Sequence, residues 1–411
     1  MTYSSWRFGM KRVAILGYKP LSTPFSGYEK TLLIIARMIQ SDNLDIKMFS
    51  FGDKDMCIRE GQHIEEIVKA PKYHEGGAGI ERMLNFASLI FLGYRPALIK
   101  LNNNKQMLEK LYAYRPDIII HGDFILPILL EKYKKMVKNK VMIVSYTDEP
   151  GIIEVSFGAV YAGINNEKAY FRLLNVPLSL LKKQYFNYAL YMYGKMINVS
   201  DYVVTPTELD KKMILKSFDV PKQDIFVIPP VYFEKKMDRV LKTVTSVKKI
   251  AFLGNYLFWP NREAVQIIEQ KIAPKMQNTK FIIAGARCPK MKMGNVEYVG
   301  RVDNVERFLS TVDACIAPIL RGTGMKTKIM DYFLAKRPVI GTPIAFAGYS
   351  VKNRVNAIIE SNPGKFADKI MELDKDKRML MRLQNNSMSA IEGLSEEGIR
   401  KKWIRVINKV M

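Results

Sequence analysis

The sequence predicts an α/β protein built from two doubly wound domains, and three observations carry that expectation. Short apolar, β-branched runs such as Arg12 to Leu16, Pro116 to His121 and Lys249 to Leu253 alternate with segments of helical apolar periodicity, the rhythm of parallel sheets covered by helices. The chain has 411 residues, more than one ordinary core organises, and its 48% hydrophobic content suffices for two. Between Tyr232 and Lys249 apolar periodicity lapses into a lysine-rich stretch, which reads as a boundary. The expected division is therefore 1–232, a linker 233–249, a second domain 250–392 and a closing segment 393–411.

In the first half, Arg12 to Leu16 runs into a loop holding Pro20, Pro24, Ser26 and Gly27, and a helix starts near Tyr28 with Leu32, Leu33, Ile35, Ala36 and Ile39 on its apolar side. The loop is thereby delivered to the carboxyl end of the first strand, where open α/β sheets take ligands. No G-x-G-x-x-G is present, so this is not a dinucleotide fingerprint. A second strand, Leu44 to Phe51, ends at Asp53 and Asp55, a D-x-D spacing that suits a divalent ion. The same spacing recurs at Asp374 and Asp376 on a helical stretch, which shows how little it specifies, and no metal or cofactor is assigned.

Residues 56 to 115 carry no clear pattern beyond a glycine loop tip at Gly76 to Gly79. Pro116 to His121 and Lys140 to Tyr146 read as buried parallel strands. Their polar ends, His121-Gly122-Asp123 and Thr147-Asp148-Glu149, meet at one sheet edge facing a cleft. His121 is there either a cleft residue or a satisfied structural histidine. An aromatic helical region, Asn175 to Asn198, precedes the strand Tyr202 to Pro206, and Thr207 with Asp210 three residues on starts the next helix as a cap.

The second half is organised around Ala317 to Thr342, which reads strand, glycine loop, helix, strand. Arg321 leads into a loop carrying Gly322, Thr323, Gly324 and Met325, followed by Lys326, Lys328 and Asp331. Amides at the start of that helix lack intrahelical partners and sit at the positive end of its dipole, so a phosphate or diphosphate is the natural guest. Asp331, about 9 Å along the axis from Met325 at ~1.5 Å per residue, suits a sugar hydroxyl better than a phosphate. The plainer reading is a Lys328–Asp331 pair in solvent. A P-loop is excluded because one residue too many separates Gly324 from a Lys-Thr pair. Upstream, Asn255 and Arg262 flank Pro260 at a helix start, and Asp303 with Glu306 forms a capping-box-like start for the helix carrying Val305, Phe308 and Leu309.

The pattern G-x-G-x-K-x-K-I-x-D from Gly322 to Asp331, followed by a small-residue helix and RPVIGTP, resembles the donor-binding segment of GT-B glycosyltransferases, specifically the retaining family 4 group. IAFLGNYLFWPNREAVQII, FIIAGARCP, VEYVGRVDNVERFLSTVDACIAPIL and IAFAGYSV stand in that family's order, so the likeness covers residues 250 to 350 well. VAILGYKP, TPFSGYEK, PDIIIHGDF and YVVTPTELDKKMI extend it more loosely into the first half.

The resemblance implies two Rossmann-like domains facing a cleft, with the last helix, Gly398 to Met411, crossing back onto the first. It further implies transfer of a sugar from a nucleotide-sugar, with retention, to a glycan, lipid-linked or protein acceptor held mainly by the first domain. The donor would lie against Asn255, Arg262, Arg321, Gly322, Thr323, Gly324, Met325, Lys326, Lys328 and Asp331, the last on ribose. Ser26, Gly27, Tyr28 and Glu29 stand at the family's first loop, between acceptor and donor phosphate, and Thr147, Asp148 and His121 at its catalytic edge. Two positions depart: many relatives have histidine where this chain has Thr147, and a first carboxylate where it has Thr323, as in a glycine-rich subgroup. These departures sustain a second hypothesis, a catalytically silent module that binds a nucleotide-sugar or polyanion.

A net charge of +24, spread over both halves, recruits anionic partners. No zinc-finger or RNA-recognition signature accompanies it, which argues against specific nucleic-acid binding. Lys132, Lys134, Lys135, Lys138 and Lys140, with the aromatic, basic stretches 86–100 and 185–195, suit an anionic lipid surface; the alternative is a solvated charged face. Cys57, Cys288 and Cys315 are odd in number and scattered, which predicts a reducing compartment without disulfides. No run offers 18 uncharged apolar residues. The expectation is a cytoplasmic protein, peripheral on the inner face of the membrane.

Overall fold

A computed structural model describes residues 10–17, 20–21, 27–41, 43–60, 63–69, 103–122, 126–147, 190–231, 243–256 and 258–410. The first domain contains β1 (Lys11–Leu16), α1 (Gly27–Ile39), β2 (Leu44–Gly52), β3 (Met56–Glu60), β4 (His63–Lys69), α2 (Lys105–Tyr114), β5 (Ile118–Gly122), α3 (Pro127–Met136), β6 (Met142–Tyr146), α4 (190–199), β7 (Tyr202–Thr205), α5 (Glu208–Ser217) and β8 (Ile225–Val227). Its strands form one sheet in the order β3-β4-β2-β1-β5-β6-β7-β8, parallel except for β3. The order reverses between β1 and β5, which lie side by side with Ile15 opposite Ile120. Alternate residues of β1 serve two cores. Val13 and Ile15 pack under α1, while Ala14 and Leu16 pack under α2 and α3, which explains an uninterrupted apolar run rather than an alternating one.

The second domain contains β9 (Lys249–Leu253), α6 (Trp259–Ile267), β10 (Lys280–Ala284), β11 (Lys290–Met293), β12 (Val296–Gly300), α7 (Val305–Leu309), β13 (Ala314–Ala317), α8 (Thr327–Leu334), β14 (Val339–Gly341), β15 (Ile358–Ile359), α9 (Phe366–Lys375) and α10 (Lys377–Asn385). The order is β11-β12-β10-β9-β13-β14-β15, with only β11 antiparallel. Here the order reverses between β9 and β13, so the loops leaving those two strands diverge and open a crevice. Local sequence explains the helix starts: Asn104, Thr207, Asn304 and Asp376 each accept from an amide three residues on. The α7 cap is thus Asn304, one residue after the expected Asp303. Asp303 is left exposed beside Arg301.

The second core reaches back past its first strand. Val244 and Val247, read as linker, are buried in it, and the side-chain amide of Gln384 on α10 bonds both the N–H and the C=O of Val244. The chain ends with α11 (Glu396–Val410), whose Ile399, Trp403, Val406, Ile407 and Val410 join the core of the first domain under α1 and β1. Trp403 lies 6.1 Å from the Tyr146 ring, and Arg400 donates to the Gln40 carbonyl. This is the expected crossing helix. No helix among the described residues is long and apolar enough to cross a membrane. Replacing buried Trp403 by alanine should cost about 3 kcal/mol. Thermal unfolding should show a lower transition for the first domain, with the second, whose core excludes α11, unchanged.

Candidate active site

The crevice between β9 and β13 is lined by the segments leaving those strands and by the starts of α6 and α8. Gly322 and Gly324 adopt φ of 106° and 69°, left-handed values that let the chain turn from β13 into α8 without a side-chain clash. Thr323 between them is 6% exposed. Arg321, on the rim, lies over the Trp259 ring at 5.6 Å and 3.6 Å from the Glu263 carboxylate, which ties the loop to α6. Below, α8 is fixed to the sheet by Tyr332, whose hydroxyl accepts from the Leu253 amide at 2.7 Å, and by Tyr349, which donates to the Lys326 carbonyl at 2.9 Å.

Two lysines converge there by different routes. The Lys326 ammonium folds back onto its own loop, donating to the carbonyls of Thr323 and Gly324 at 2.8 and 3.0 Å. Lys328 turns the other way, across the end of β9. Its ammonium donates to Asn261 Oδ1 at 2.5 Å and lies 4.2 Å from the Phe252 ring centroid, a cation–π contact. It therefore does not form the solvent pair with Asp331 that the spacing allowed. Burial, assisted by Lys326, lowers its pKa from the ordinary lysine value to about 7. Gly254 makes room for this arrangement: a Cβ there would lie 2.8 Å from the Asn261 amide and 2.9 Å from the Lys328 nitrogen. Asn261 in turn donates to the Asn255 carbonyl at 2.9 Å, fixing the turn after β9.

No side chain caps α8, and no acidic residue occupies its first turn, in contrast to α5 and α7. Its first amides, the dipole and two lysines therefore face the same crevice. Asp331 is half-buried one turn into α8, close enough to Tyr332 and Tyr349 that its charge adds to burial in raising both phenol pKa values. Arg262 is half-buried on α6 and Asn255 exposed at the crevice mouth.

On the opposite wall, Gly27, Tyr28 and Glu29 form the first turn of α1, at the end of the loop leaving β1. Ser26, Asp123 and Asp148 lie outside the described residues. Thr147 is 3% exposed at the end of β6, with its amide bonded to the Val204 carbonyl at 2.8 Å. His121 is wholly buried, and its Nε2 shares a 2.5 Å hydrogen bond with Ser145 Oγ, which in turn pairs with Ser200. Among the described residues no three His, Cys, Asp or Glu side chains gather as metal ligands, and Asp55 accepts from the Lys69 amide at 2.7 Å instead.

Sequence reasoning passed over Gly254, Asn261, Tyr332 and Tyr349, which brace the loop. It treated Asp210 only as part of a helix cap, although its other oxygen accepts from the Gly324 amide at 3.0 Å. The signal for Asn261 was available in Trp259-Pro260-Asn261, a polar residue placed just inside a Pro-initiated helix.

With this geometry the comparisons agree. Residues 247–376 match the family model described as glycosyl transferases group 1. The match falls almost entirely within the second domain. No curated protein matches the sequence significantly. Solved structures do match the fold over nearly the whole chain. Sucrose-phosphate synthase from Thermosynechococcus elongatus superposes with TM-score 0.65 at 10% identity, covering 97% of this chain and 99% of that one. Anabaena HepE in complex with UDP gives 0.62 at 10% identity, covering 97% and 100%. The lipopolysaccharide outer core galactosyltransferase WaaB gives 0.60 at 14%, covering 97% and 100%. The chain thus has the GT-B fold.

The depressed Lys328 pKa carries a stability signature. Between about 7 and the unfolded lysine value near ~10.4 the unfolded chain binds more protons at this group, so its contribution to stability rises with pH across that window. Lys328→Met should flatten that rise, read as the difference between wild-type and variant melting temperatures from pH 6.5 to 10.

Proposed function

We propose that the protein transfers a sugar from a uridine diphosphate sugar, with retention, to a lipid-linked acceptor held by the first domain. The observation that carries the donor assignment is the start of α8. It has no side-chain cap and no acid in its first turn, while the Lys326 ammonium lies on the glycine loop and the Lys328 ammonium against Asn261 beside it. Such a helix end stabilises an anion, and a leaving diphosphate gains most from it as charge develops on the departing oxygen. Asp331, about 6 Å further along the helix axis at ~1.5 Å per residue from Thr327, is suited to accept from ribose hydroxyls. The solved neighbours include Anabaena HepE in complex with UDP and with UDP-glucose, which supports uridine as the base. Retention follows from the family resemblance alone. Thr323 replaces the family's sugar-touching carboxylate, which leaves the hexose unassigned.

Support for a lipid-linked acceptor comes from the outer face of the first domain. Exposed Tyr112 on α2, Met136 on α3 and Tyr191 on α4 are accompanied by Arg115, Lys135 and Lys195, with Arg115 over Tyr112 and Lys195 over Tyr191 at 5.9 Å each. Glu131 bridges Lys135 and Lys195, joining α3 to α4 in one surface. Apolar tips among cations are the composition of a surface that rests on anionic headgroups. The competing reading, a silent nucleotide-sugar-binding module, draws on the replacements at Thr147 and Thr323.

Asp331→Ala should weaken UDP binding by on the order of 1.5–3 kcal/mol, about tenfold or more, without lowering the melting temperature. Unchanged affinity by calorimetry would remove the ribose assignment, and wild-type protein that binds UDP-sugars without any turnover would favour the silent module. Lys134, expected on this surface, is instead paired with Asp201 at 2.8 Å, so charge reversal of Lys135 and Lys138 is the test: it should abolish co-sedimentation with vesicles containing phosphatidylserine while leaving UDP affinity alone. Equal binding to neutral and anionic vesicles, or to neither, would point to a soluble acceptor.

A further inference from the structure

Asp210 is wholly buried, and its two carboxylate oxygens serve different domains. Oδ2 accepts from the Thr207 hydroxyl at 2.6 Å, and the Thr207 oxygen accepts from the Asp210 amide at 3.1 Å, which together start α5. That pair alone satisfies the helix. Oδ1 instead crosses to the second domain and accepts from the Gly324 amide at 3.0 Å, in the middle of the glycine loop. A carboxylate out of water is costly without such donors. Burial raises its pKa, and Thr207, the Gly324 amide and the nearby Lys326 ammonium oppose that rise. A second contact occurs at the same place. Gly348, at φ 86°, brings its backbone so close that a Cβ would stand 2.5 Å from Met325 Cγ and 3.0 Å from Thr207 Cγ2. The glycine loop is therefore gripped between a turn of its own domain and the start of α5.

We infer that Asp210 is a positioning residue for the donor loop: from the acceptor domain it holds the Gly324 amide, and so sets the loop between Gly322 and Lys326 in its anion-binding arrangement only while the two domains are closed on each other. This rests on the nucleotide-sugar reading of the crevice. The first domain then contributes to donor affinity without touching the donor, and donor binding and domain closure become linked equilibria. Its Oδ1, not needed for the cap, lies where the two domains meet.

Three variants and two measurements decide it. Asp210→Ala removes both contacts, Asp210→Asn keeps an oxygen that can accept from Gly324, and Thr207→Val removes the cap hydroxyl while leaving the carboxylate. Residue-resolved amide exchange at Gly324, recorded without ligand, and UDP affinity by calorimetry are the readouts. Asp210→Ala should speed Gly324 exchange and weaken UDP binding by about tenfold each, equivalent to about 1.4 kcal/mol. Asp210→Asn should stay within about threefold of wild type on both, as expected for a neutral hydrogen bond replacing a charge-assisted one. Thr207→Val should lower the melting temperature and leave both readouts near wild type. Wild-type protection of Gly324 in Asp210→Ala, or equal losses in Thr207→Val, would reduce Asp210 to a helix cap. Should Asp210→Ala fail to fold, Asp210→Ser, which keeps a hydroxyl for the cap but is too short to reach Gly324, decides on the same readouts. Failure of wild-type protein to bind UDP would overturn the donor reading, whereas the exchange measurement tests the cross-domain bond without ligand.

Discussion

An ammonium group withdrawn from water before any anion arrives governs the donor end of this protein. Lys328 gives up hydration in exchange for Asn261 and the face of Phe252, neither of which carries a negative charge. That exchange is tolerable only because Gly254 leaves the space and Tyr332 fixes the helix at the right distance from the end of β9. The result is a lysine whose hold on its proton falls to about pH 7, next to the uncapped amides of α8. On the proposed reading, an arriving diphosphate would favour the lysine's charged form and complete the pairing. The protein has carried the cost of desolvation in advance, during folding, so less reorganisation is needed on binding.

The two domains divide the chemistry unequally. The second supplies cations, amides and the carboxylate of Asp331. The first would supply the acceptor surface and, through the Asp210–Gly324 bond, a hold on the glycine loop proposed to receive the donor. A transferase that gripped its donor fully in the absence of an acceptor domain would expose an activated sugar to water. Sharing control of the glycine loop across the cleft couples the loop's geometry to closure, when water is being excluded.

Much of this was legible in the residues because the relevant signals are local. Gly322 and Gly324 require left-handed backbone, apolar runs covered on both faces look the same wherever they occur, and Trp403 with Ile399, Val406 and Ile407 marks a buried helical face. What escaped was set by tertiary contact. The spacing of Lys328 and Asp331 on α8 is compatible with a surface pair, and only the proximity of β9 turns Lys328 inward. His121 sits at a strand end in sequence, but its side chain is buried against Ser145, which pairs with Ser200, a contact that periodicity of two fixes only once the register is known. Val244 looked like linker because its partner, Gln384, lies far away in the chain. Asp210 satisfied a familiar capping pattern, which concealed the oxygen left over for Gly324.

The return of α11 to the first domain has a consequence during synthesis. The sheet of that domain is translated by residue 227, yet the apolar face of β1, β2 and β5 receives Ile399, Trp403 and Ile407 only from the last stretch of the chain. At ~5–20 residues per second, roughly 10–40 s separate the two events. During that interval the nascent domain presents an uncovered hydrophobic groove beside α1, while the second domain, whose core needs nothing beyond Leu394, emerges and folds. The order of completion is the reverse of the order of translation, and the groove is a natural place for a chaperone to bind until the final helix leaves the ribosome.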